Sequence, residues 1–256
     1  MAPPPPSLDK AVLITGAARR LGAEIARALH AAGCRVVLHC NRSRKEADAL
    51  AADLNAARAD SARVVQGDLL AYNALKGLID HAASEYGRLD GLVNNASAFY
   101  ATPVGQIDED NWLDLIDSNL KAPLFLSQAA APYLKKTGGS IVNLVDIHAE
   151  RPLKDFVVYS VAKAGLAGLT RSLALELGPE VRVNGVAPGA ILWPEAGHPG
   201  GGAFESKEQL RIVDQAPLKR VGAPADIAGA VKYLMLDAPY VTGQILAVDG
   251  GRTVAL

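Results

Sequence analysis

The sequence contains little cysteine, no long apolar run and no excess of charge of either sign. Its two cysteines, Cys34 and Cys40, would lie roughly 20 Å apart on one strand, too far for a disulfide. No apolar run approaches the roughly 20 residues that span a bilayer. The formal net charge of −1 gives no field to attract nucleic acid or an anionic membrane, and no His/Cys cluster has metal-ligand spacing. We therefore expect a cytoplasmic protein without a metal, nucleic-acid or membrane partner.

Two segments differ in composition from the rest of the chain. The first eight residues include four consecutive prolines and lack the regions of a signal peptide, which predicts a disordered tail over residues 1–8. The segment Ala190–Ser206 is rich in glycine and proline. It is either a poorly packed loop or a lid, and its place after a strand favours a lid over about residues 190–215. The chain from 9 to 256 is long enough for a single α/β domain.

Short apolar runs alternate along the chain with alanine-rich segments whose apolar residues recur at helical spacing. The predicted strands are Ala11–Thr15, Arg35–His39, Ala62–Gln66, Leu89–Asn94, Ser140–Val145, Arg182–Ala187 and Ile245–Val248. The clearest predicted helices are Ala23–Ala32, Arg44–Ala57 and Ala71–Tyr86. Strands that alternate with helices form right-handed crossovers. We predict an α/β fold of the Rossmann type, doubly wound, with a seven-stranded parallel sheet and helices on both faces.

The first predicted strand runs into a loop of small residues, Thr15–Gly22, that opens a helix. Small residues let the backbone approach a pyrophosphate, and the helix N-terminus adds N–H donors. Arg20 would add a fixed positive charge beside the phosphates, although by itself it is equally a solvated arginine at a helix start. The loop indicates a dinucleotide site.

The second predicted strand ends without the acidic residue that commonly binds the ribose 2′-hydroxyl of NAD. Arg42 and Ser43 stand there instead. They can hold a 2′-phosphate by charge-assisted hydrogen bonds, which favours NADPH; the alternative is a basic helix start. Asp68, after the third strand, is placed to cap the next helix or to meet an adenine amine.

Asn94 and Asn95 end the fourth predicted strand, and Phe99 follows them. The asparagines can fix the sheet edge by bonding backbone groups, which is a structural role. Phe99 is either a planar wall for a flat ring or a packing residue.

Tyr159 and Lys163 are the candidates for chemistry, since residues four apart on a helix project from one face. A nearby ammonium lowers the pKa of a phenol from about 10 and prepares it for proton transfer. The same spacing also occurs in tyrosine and lysine pairs on the surface of a helix, which have no catalytic role. Asp146, at the end of the fifth strand, and Asn119, in the preceding helix, favour the catalytic interpretation. His148 follows Asp146 closely enough to line the same site.

Taken in order, these residues resemble the short-chain dehydrogenase/reductases over nearly the whole chain. The matching motifs are Thr15-Gly16, Asn94-Asn95-Ala96, Asn119, Tyr159-x-x-x-Lys163, Pro188-Gly189 and Val248-Asp249-Gly250-Gly251. That family normally has glycine at the position of Arg20 and serine at that of Asp146. Both departures resemble the pteridine reductases. So do His39-x-x-Arg42-Ser43, Asn95-Ala96-Ser97-x-Phe99-Tyr100 and Arg151-Pro152-Leu153, whereas Asn41 stands where trypanosomatid members commonly have histidine.

The resemblance implies a pterin stacked between Phe99 and the nicotinamide of NADPH. Tyr159 and Asp146 would deliver the proton. Lys163 would bind the nicotinamide ribose and lower the pKa of Tyr159, and Asn119 would hold a water relay to Lys163. The resemblance also implies a homotetramer.

The expected site falls into three sets of residues, and no metal is expected. The catalytic residues are Asp146, Tyr159, Lys163 and Asn119. The substrate contacts are Arg20, Ser97, Phe99, Asp146, Tyr159 and Trp193. The cofactor contacts are Gly16, Arg19, Arg20, Leu21, Gly22, His39, Asn41, Arg42, Ser43, Asp68, Leu69, Asn95, Ala96, Ser97, Lys163, Pro188 and Gly189.

The function expected from these residues is the NADPH-dependent transfer of hydride to a C=N bond of a pterin or dihydropterin, with dihydrofolate as a further candidate. One alternative is a carbonyl reductase of the same family, such as a 3-oxoacyl-carrier-protein reductase, which would be expected to have glycine and serine in place of Arg20 and Asp146. The other is a non-catalytic NADP(H)-binding sensor, which would have no need of Tyr159 and Lys163.

Overall fold

A computed structural model describes residues 9–191 and 206–255 of the protein. The predicted tail over residues 1–8 lies outside these ranges, as do Trp193 and much of the predicted lid. The part of the predicted lid that the structure does describe includes a helix, Ser206–Gln215.

Seven strands form one parallel sheet in the order β3-β2-β1-β4-β5-β6-β7. They are β1 Ala11–Ile14, β2 Arg35–Cys40, β3 Ala62–Gln66, β4 Gly91–Asn94, β5 Ser140–Leu144, β6 Arg182–Pro188 and β7 Ile245–Val248. The strand order reverses between β1 and β4. In open α/β sheets, ligands bind at this reversal, beyond the carboxyl ends of the strands.

Helices cover both faces of the sheet, as predicted. In chain order they are α1 Arg20–Ala31, α2 Arg44–Ala57, α3 Leu75–Ser84, α4 Glu109–Ile116, α5 Ala122–Thr137, α6 Val157–Leu177, α7 Ser206–Gln215, α8 Pro224–Lys232 and α9 Arg252–Ala255. A π-helical turn, Asp117–Lys121, joins α4 to α5. The Rossmann-type doubly wound fold is confirmed.

Residues alternate between two cores along the strands. In β1, Val12 and Ile14 belong to a buried cluster with residues of α1, α2 and α8. Leu13 points the other way and belongs to a second buried cluster with residues of α3 and α5. Strands buried on both faces read as continuous apolar runs, which is why the sequence locates the five inner strands. Strands β3 and β7 lie at the edges of the sheet and are partly exposed.

Helix α1 begins at Arg20 rather than Ala23, and two further elements have a boundary that differs from the prediction by two residues or more. The helix predicted over Ala71–Tyr86 is shorter, because a 3₁₀ turn at Tyr72–Ala74 precedes α3. Strand β4 begins at Gly91 rather than Leu89. The carboxylate of Asp90 explains the difference at β4, since it accepts the backbone N–H of Ala11 at 2.9 Å and thereby replaces a backbone partner at the entry of the strand.

The two cysteines, Cys34 and Cys40, are buried and unpaired. Over residues 9–191 and 206–255, no helix combines the length and apolar composition needed to cross a bilayer. Within the same ranges, no three His, Cys, Asp or Glu side chains are grouped so that they could hold a metal ion.

Candidate active site

A cavity of about 470 Å³ opens at the carboxyl ends of the strands. The loops after β1, β2, β4, β5 and β6 form its wall together with α6. The predicted site residues that line it are Gly16, Arg19, Arg20, Leu21, Gly22, Asn41, Arg42, Ser43, Asn95, Ala96, Ser97, Phe99, Asp146, Tyr159, Lys163, Pro188 and Gly189. The topology thus brings most of the predicted residues to one place.

The loop between β1 and α1 requires glycine at two positions. Gly16 has a φ of +62°, and a Cβ on Gly22 would collide with the carbonyl oxygen of Gly16. Asn95 fixes the loop, because its Nδ2 donates to the carbonyl oxygens of Thr15 at 2.8 Å and Gly16 at 3.2 Å. The backbone therefore lies open to the cavity at the N-terminus of α1, as a bound pyrophosphate requires.

His39 supports this loop instead of lining the cavity. Its Nδ1 accepts the backbone N–H of Gly16 at 3.2 Å, and its Nε2 lies 3.1 Å from the carbonyl oxygen of Gly67. These two contacts require the neutral ring with its proton on Nε2, and burial lowers the pKa of His39 accordingly. His39 does not line the cavity, so the cofactor contact predicted at this residue would be an indirect one, made through the backbone of Gly16.

Arg20 has a left-handed backbone, with a φ of +54°. This conformation costs a residue with a Cβ about 1–2 kcal/mol and costs glycine little. The arginine therefore retains the backbone conformation of the glycine that the resemblance leads one to expect, and adds a guanidinium to the cavity wall.

We expect Arg20→Ala to be less stable than Arg20→Gly by about 1 kcal/mol, because alanine keeps the strained backbone. Urea unfolding of the two variants measures the difference, and both lack the guanidinium, so its contacts cancel. The same pair of substitutions at Arg27, an exposed position inside α1, is the matched control. There the alanine variant should be the more stable one, and equal stabilities at position 20 would contradict the argument.

The end of β2 presents positive charge and a hydroxyl to the cavity. Arg19 donates from Nη2 to Ser43 Oγ at 2.8 Å, and its Nη1 lies 3.5 Å from Glu46. Arg42 lines the cavity beside them. Glu46, the first acid after β2 in the chain, is therefore paired with an arginine, and the arginine and serine side chains that line the cavity are suited to a phosphate.

Asp68 and Leu69 do not line the cavity. Asp68 Oδ1 accepts from Asn41 Nδ2 at 3.3 Å and from the backbone N–H of Leu70 at 3.0 Å. The carboxylate shapes the turn after β3 and steadies Asn41. The predicted helix cap at Asp68 is wrong, since the residue that precedes α3 is Ala74.

A buried set of amide hydrogen bonds lies beneath the cavity. Asn94 Nδ2 donates to Asn143 Oδ1 at 2.8 Å, and Asn143 Nδ2 donates to Thr170 Oγ1 at 2.9 Å. Asn94 thereby ties β4 to β5 and α6, which is the structural role that its position allows. Rigid support of this kind keeps the side chains above it in place.

Tyr159, Asp146 and Lys163 meet at the centre of the cavity wall. Tyr159 Oη donates to Asp146 Oδ2 at 2.7 Å, and Asp146 Oδ1 accepts the backbone N–H of His148 at 2.9 Å. Lys163 Nζ donates to the carbonyl oxygen of Leu144 at 2.8 Å and lies 5.6 Å from the centroid of the Tyr159 ring. Both α6 side chains are almost fully buried. Three of the four residues predicted to be catalytic therefore lie together, with Tyr159 hydrogen-bonded to Asp146 and Lys163 beside the phenol ring. Their catalytic roles stay predictions.

The electrostatics of this unit differ from the prediction. Burial raises the pKa of Tyr159 well above its usual value, and the charge of Asp146 and its hydrogen bond raise it further. Burial also lowers the pKa of Lys163 to about 8, against the opposing charge of Asp146. These effects outweigh the ammonium near the ring, so the net pKa of the phenol stays above its usual value. Tyr159 is held as the neutral phenol, which is the form that donates a proton.

Asn119 lies in the π-helical turn between α4 and α5 and is fully buried. Its Nδ2 donates to the carbonyl oxygens of Ala98 at 2.9 Å and Leu115 at 3.0 Å. It does not line the cavity, but it anchors the segment after β4 that carries Phe99. Turns of this kind are frequent at functional sites, and the water relay expected at Asn119 stays a prediction.

Phe99 is held between two aromatic rings. Its ring stacks on Phe156 with centroids 4.6 Å apart and meets Tyr159 edge-on at 4.8 Å. These contacts give Phe99 a packing role and also fix its orientation beside the phenol at the cavity wall. The packing role of Phe99 is therefore observed, and its role as a planar wall for a ring stays a prediction.

Comparison with known proteins identifies the family. The family model described as Enoyl-(Acyl carrier protein) reductase matches residues 16–253. The chain is 38% identical to pteridine reductase 1 of Leishmania tarentolae, over 94% of this chain and 96% of that protein. It is 35% identical to the 3-oxoacyl-[acyl-carrier-protein] reductase FabG of Staphylococcus aureus, over 95% of this chain and 98% of that protein. The chain belongs to the short-chain dehydrogenase/reductase family. It is an NAD(P)-dependent oxidoreductase of that family.

In this short-chain dehydrogenase/reductase, the sequence interpretation missed one charged residue of the cavity wall. Arg252 lines the cavity although it lies far along the chain from the other site residues. Its place directly after Gly250-Gly251, the end of the last family motif, is the signal that would have drawn attention to it. Ile212 of α7 and Leu153 add apolar surface to the same wall.

Proposed function

We propose that the protein is an NADPH-dependent reductase that adds hydride to a C=N bond of a pterin or dihydropterin. The observation that carries the proposal is the 2.7 Å hydrogen bond from Tyr159 to Asp146, at the position where the family normally has serine. The similarity to a protein named pteridine reductase 1 supports it. The similarity to a 3-oxoacyl-carrier-protein reductase makes a carbonyl reductase the alternative to be excluded.

A carboxylate at position 146 favours a nitrogen heterocycle over a ketone. An ionised carboxylate only accepts hydrogen bonds. It repels the carbonyl oxygen of a ketone, whereas a serine hydroxyl can donate a hydrogen bond to that oxygen. A pterin presents ring and amino N–H groups, from which a carboxylate can accept hydrogen bonds. Asp146 therefore complements the class of substrate that carries donors around its reducible bond.

Reducing a C=N bond requires hydride on carbon and a proton on nitrogen. When bound, NADPH supplies the hydride and becomes NADP⁺. Before the substrate binds, the Tyr159 O–H donates to Asp146, which orients the phenol. The O–H then turns from the carboxylate to the ring nitrogen and donates its proton there as negative charge develops. Lys163, close to the phenol ring, stabilises the phenolate that remains until solvent restores the proton.

Three features of this chain fit NADPH. The backbone around Gly16 and Gly22 leaves room for a pyrophosphate at the N-terminus of α1. Arg42 and Ser43 at the end of β2 provide the charge and hydroxyl for a 2′-phosphate. Lys163, buried on α6, would hold the nicotinamide ribose.

The pterin ring would lie on the face of the cavity formed by Phe99, with Ser97 and Arg20 at its polar edge. Arg20 is a fixed cation there, so an oxo group on the ring is the natural partner of its guanidinium. A ring in this position has its reducible bond towards Tyr159, since Phe99 and Tyr159 are in edge-on contact.

The test is NADPH oxidation with dihydrobiopterin, dihydrofolate and a 3-oxoacyl thioester in parallel, repeated with NADH. We expect turnover of the pterins, little turnover of the thioester, and a clear preference for NADPH. Turnover of the thioester alone would leave the fold and Tyr159 in place and overturn the substrate. Equal efficiency with NADH would remove Arg42 and Ser43 as phosphate ligands, and no turnover of any substrate would favour the non-catalytic sensor.

We further propose a cytoplasmic homotetramer. Large apolar side chains are exposed on α4 and α6, namely Trp112, Leu113, Val157 and Val161. Exposed apolar groups of this size commonly mark contacts between subunits. Light scattering that gives the mass of a single chain would overturn the tetramer, and the two unpaired cysteines are compatible with a reducing compartment.

A further inference from the structure

Arg252 is a buried cation on the wall of the cavity that no part of the mechanism uses. The residue is only 9% exposed, and its guanidinium Nε has no hydrogen-bond partner among the residues that the structure describes. It begins the short helix α9, directly after Gly250-Gly251. A buried cation without compensation is costly to a protein, so its presence at a ligand cavity needs an explanation.

The acids near Arg252 are already engaged with other donors. Asp249 accepts the backbone N–H groups of Gly251 at 2.8 Å and Thr253 at 2.7 Å. Asp146 accepts from Tyr159 and from the backbone of His148 and makes no ion pair with Arg252.

Arg252 therefore makes no ion pair with its described neighbours. Burial lowers the pKa of Arg252, the charges of Asp146 and Asp249 oppose that effect, and Arg211 adds a second positive charge nearby. Even lowered, the guanidinium keeps its proton at neutral pH. A buried guanidinium without an ion pair on the cavity wall is suited to bind a negatively charged ligand group.

Arg252 and Arg20 occupy different parts of the wall. Arg20 belongs to the loop after β1, whereas Arg252 is electrostatically coupled to Asp146 at the catalytic end. If the oxo edge of the ring faces Arg20, the ring substituent is the part left to meet Arg252. A guanidinium binds a carboxylate through two parallel hydrogen bonds.

We propose that Arg252 binds a carboxylate on the substituent of the substrate and so selects anionic over neutral acceptors. The proposal depends on the proposed function for the identity of the substrate ring. The negative charge of the group that Arg252 binds does not depend on it. It assigns Arg252 as a specificity-determining residue of this site.

The test compares dihydrofolate with its diester, which keeps the ring and removes the negative charge. We expect the wild-type enzyme to show a kcat/KM for dihydrofolate at least about tenfold above that for the diester. One charge-assisted hydrogen bond between Arg252 and a carboxylate accounts for a difference of this size. Arg252→Met should reduce this ratio to about one, and Arg252→Lys should restore part of it. Arg27→Met removes an exposed arginine of α1 and should keep the wild-type ratio.

Two results would overturn the proposal. One is a wild-type ratio near one. The other is an equal loss on both substrates in Arg252→Met together with a shifted pH profile, which would make Arg252 a positioning residue for Asp146. If the wild-type enzyme reduces no pterin, the proposed function fails by itself. The same variants, assayed on 3-oxobutanoate and its ethyl ester, then decide whether Arg252 selects a carboxylate.

Discussion

Replacing Tyr159 by phenylalanine is expected to lower kcat by about 10²-fold or more while the dissociation constant for NADPH changes less than about threefold. A positioned general acid contributes about 10²–10⁴-fold, and this phenol is the group at the cavity wall that is held in its proton-donating form. Phenylalanine keeps the edge-on contact with Phe99 and loses only the hydroxyl. Steady-state kinetics and fluorescence titration with NADPH measure the two quantities.

The pH dependence of the wild-type enzyme provides the control for this assignment. The pKa of Lys163 is about 8, so the ammonium is present below that pH and is lost as the pH rises through it. Since the ammonium stabilises the phenolate formed by proton transfer, kcat should fall above pH about 8. A Tyr159→Phe enzyme with wild-type turnover would remove Tyr159 as the proton donor, whatever the pH profile.

The inner strands could be predicted because burial on both faces requires continuous apolar runs, and the helices could be predicted from apolar residues at helical spacing. Strand β1 shows this well, since Val12 and Leu13 fill opposite cores and both must be apolar. The position of the cavity followed from the topology. The start of a strand was predicted less accurately where a side chain takes the place of a backbone partner, as the carboxylate of Asp90 does before β4.

The site residues were predicted by type and order, but their roles depend on distances that the sequence does not contain. His39 occupies a position of the family motif, yet its side chain accepts a hydrogen bond from the backbone of Gly16 and does not line the cavity. The pKa of Tyr159 depends on how deeply it is buried, and burial outweighs the nearby ammonium. The π-helical turn at Asn119 could not be predicted from the sequence either, because its residues are also compatible with an ordinary α-helix. Arg252 is distant along the chain and reaches the cavity only through folding.

Asp146→Ser is expected to lower kcat/KM for dihydrobiopterin by about 10²-fold and to leave any ketone reduction unchanged or faster. Serine is the residue normal for the family, so the fold should tolerate it. It is shorter and uncharged, and it loses the charge-assisted hydrogen bond that orients Tyr159 at 2.7 Å. It also gains a donor that a carbonyl oxygen can use. Parallel assays on the pterin and the thioester, with the NADPH dissociation constant as control, measure the change.

Asp146→Asn separates charge from shape in the same experiment. The amide is nearly isosteric with the carboxylate and can still accept from Tyr159, but it carries no charge and presents two N–H donors. If the negative charge of Asp146 selects a ring with N–H groups, the asparagine variant should lose pterin turnover nearly as fully as the serine variant. If only the orientation of Tyr159 matters, asparagine should retain most of it. Pterin turnover that survives both substitutions would mean that residue 146 does not set the substrate, and the case for a pterin would then depend on Arg20 and Phe99.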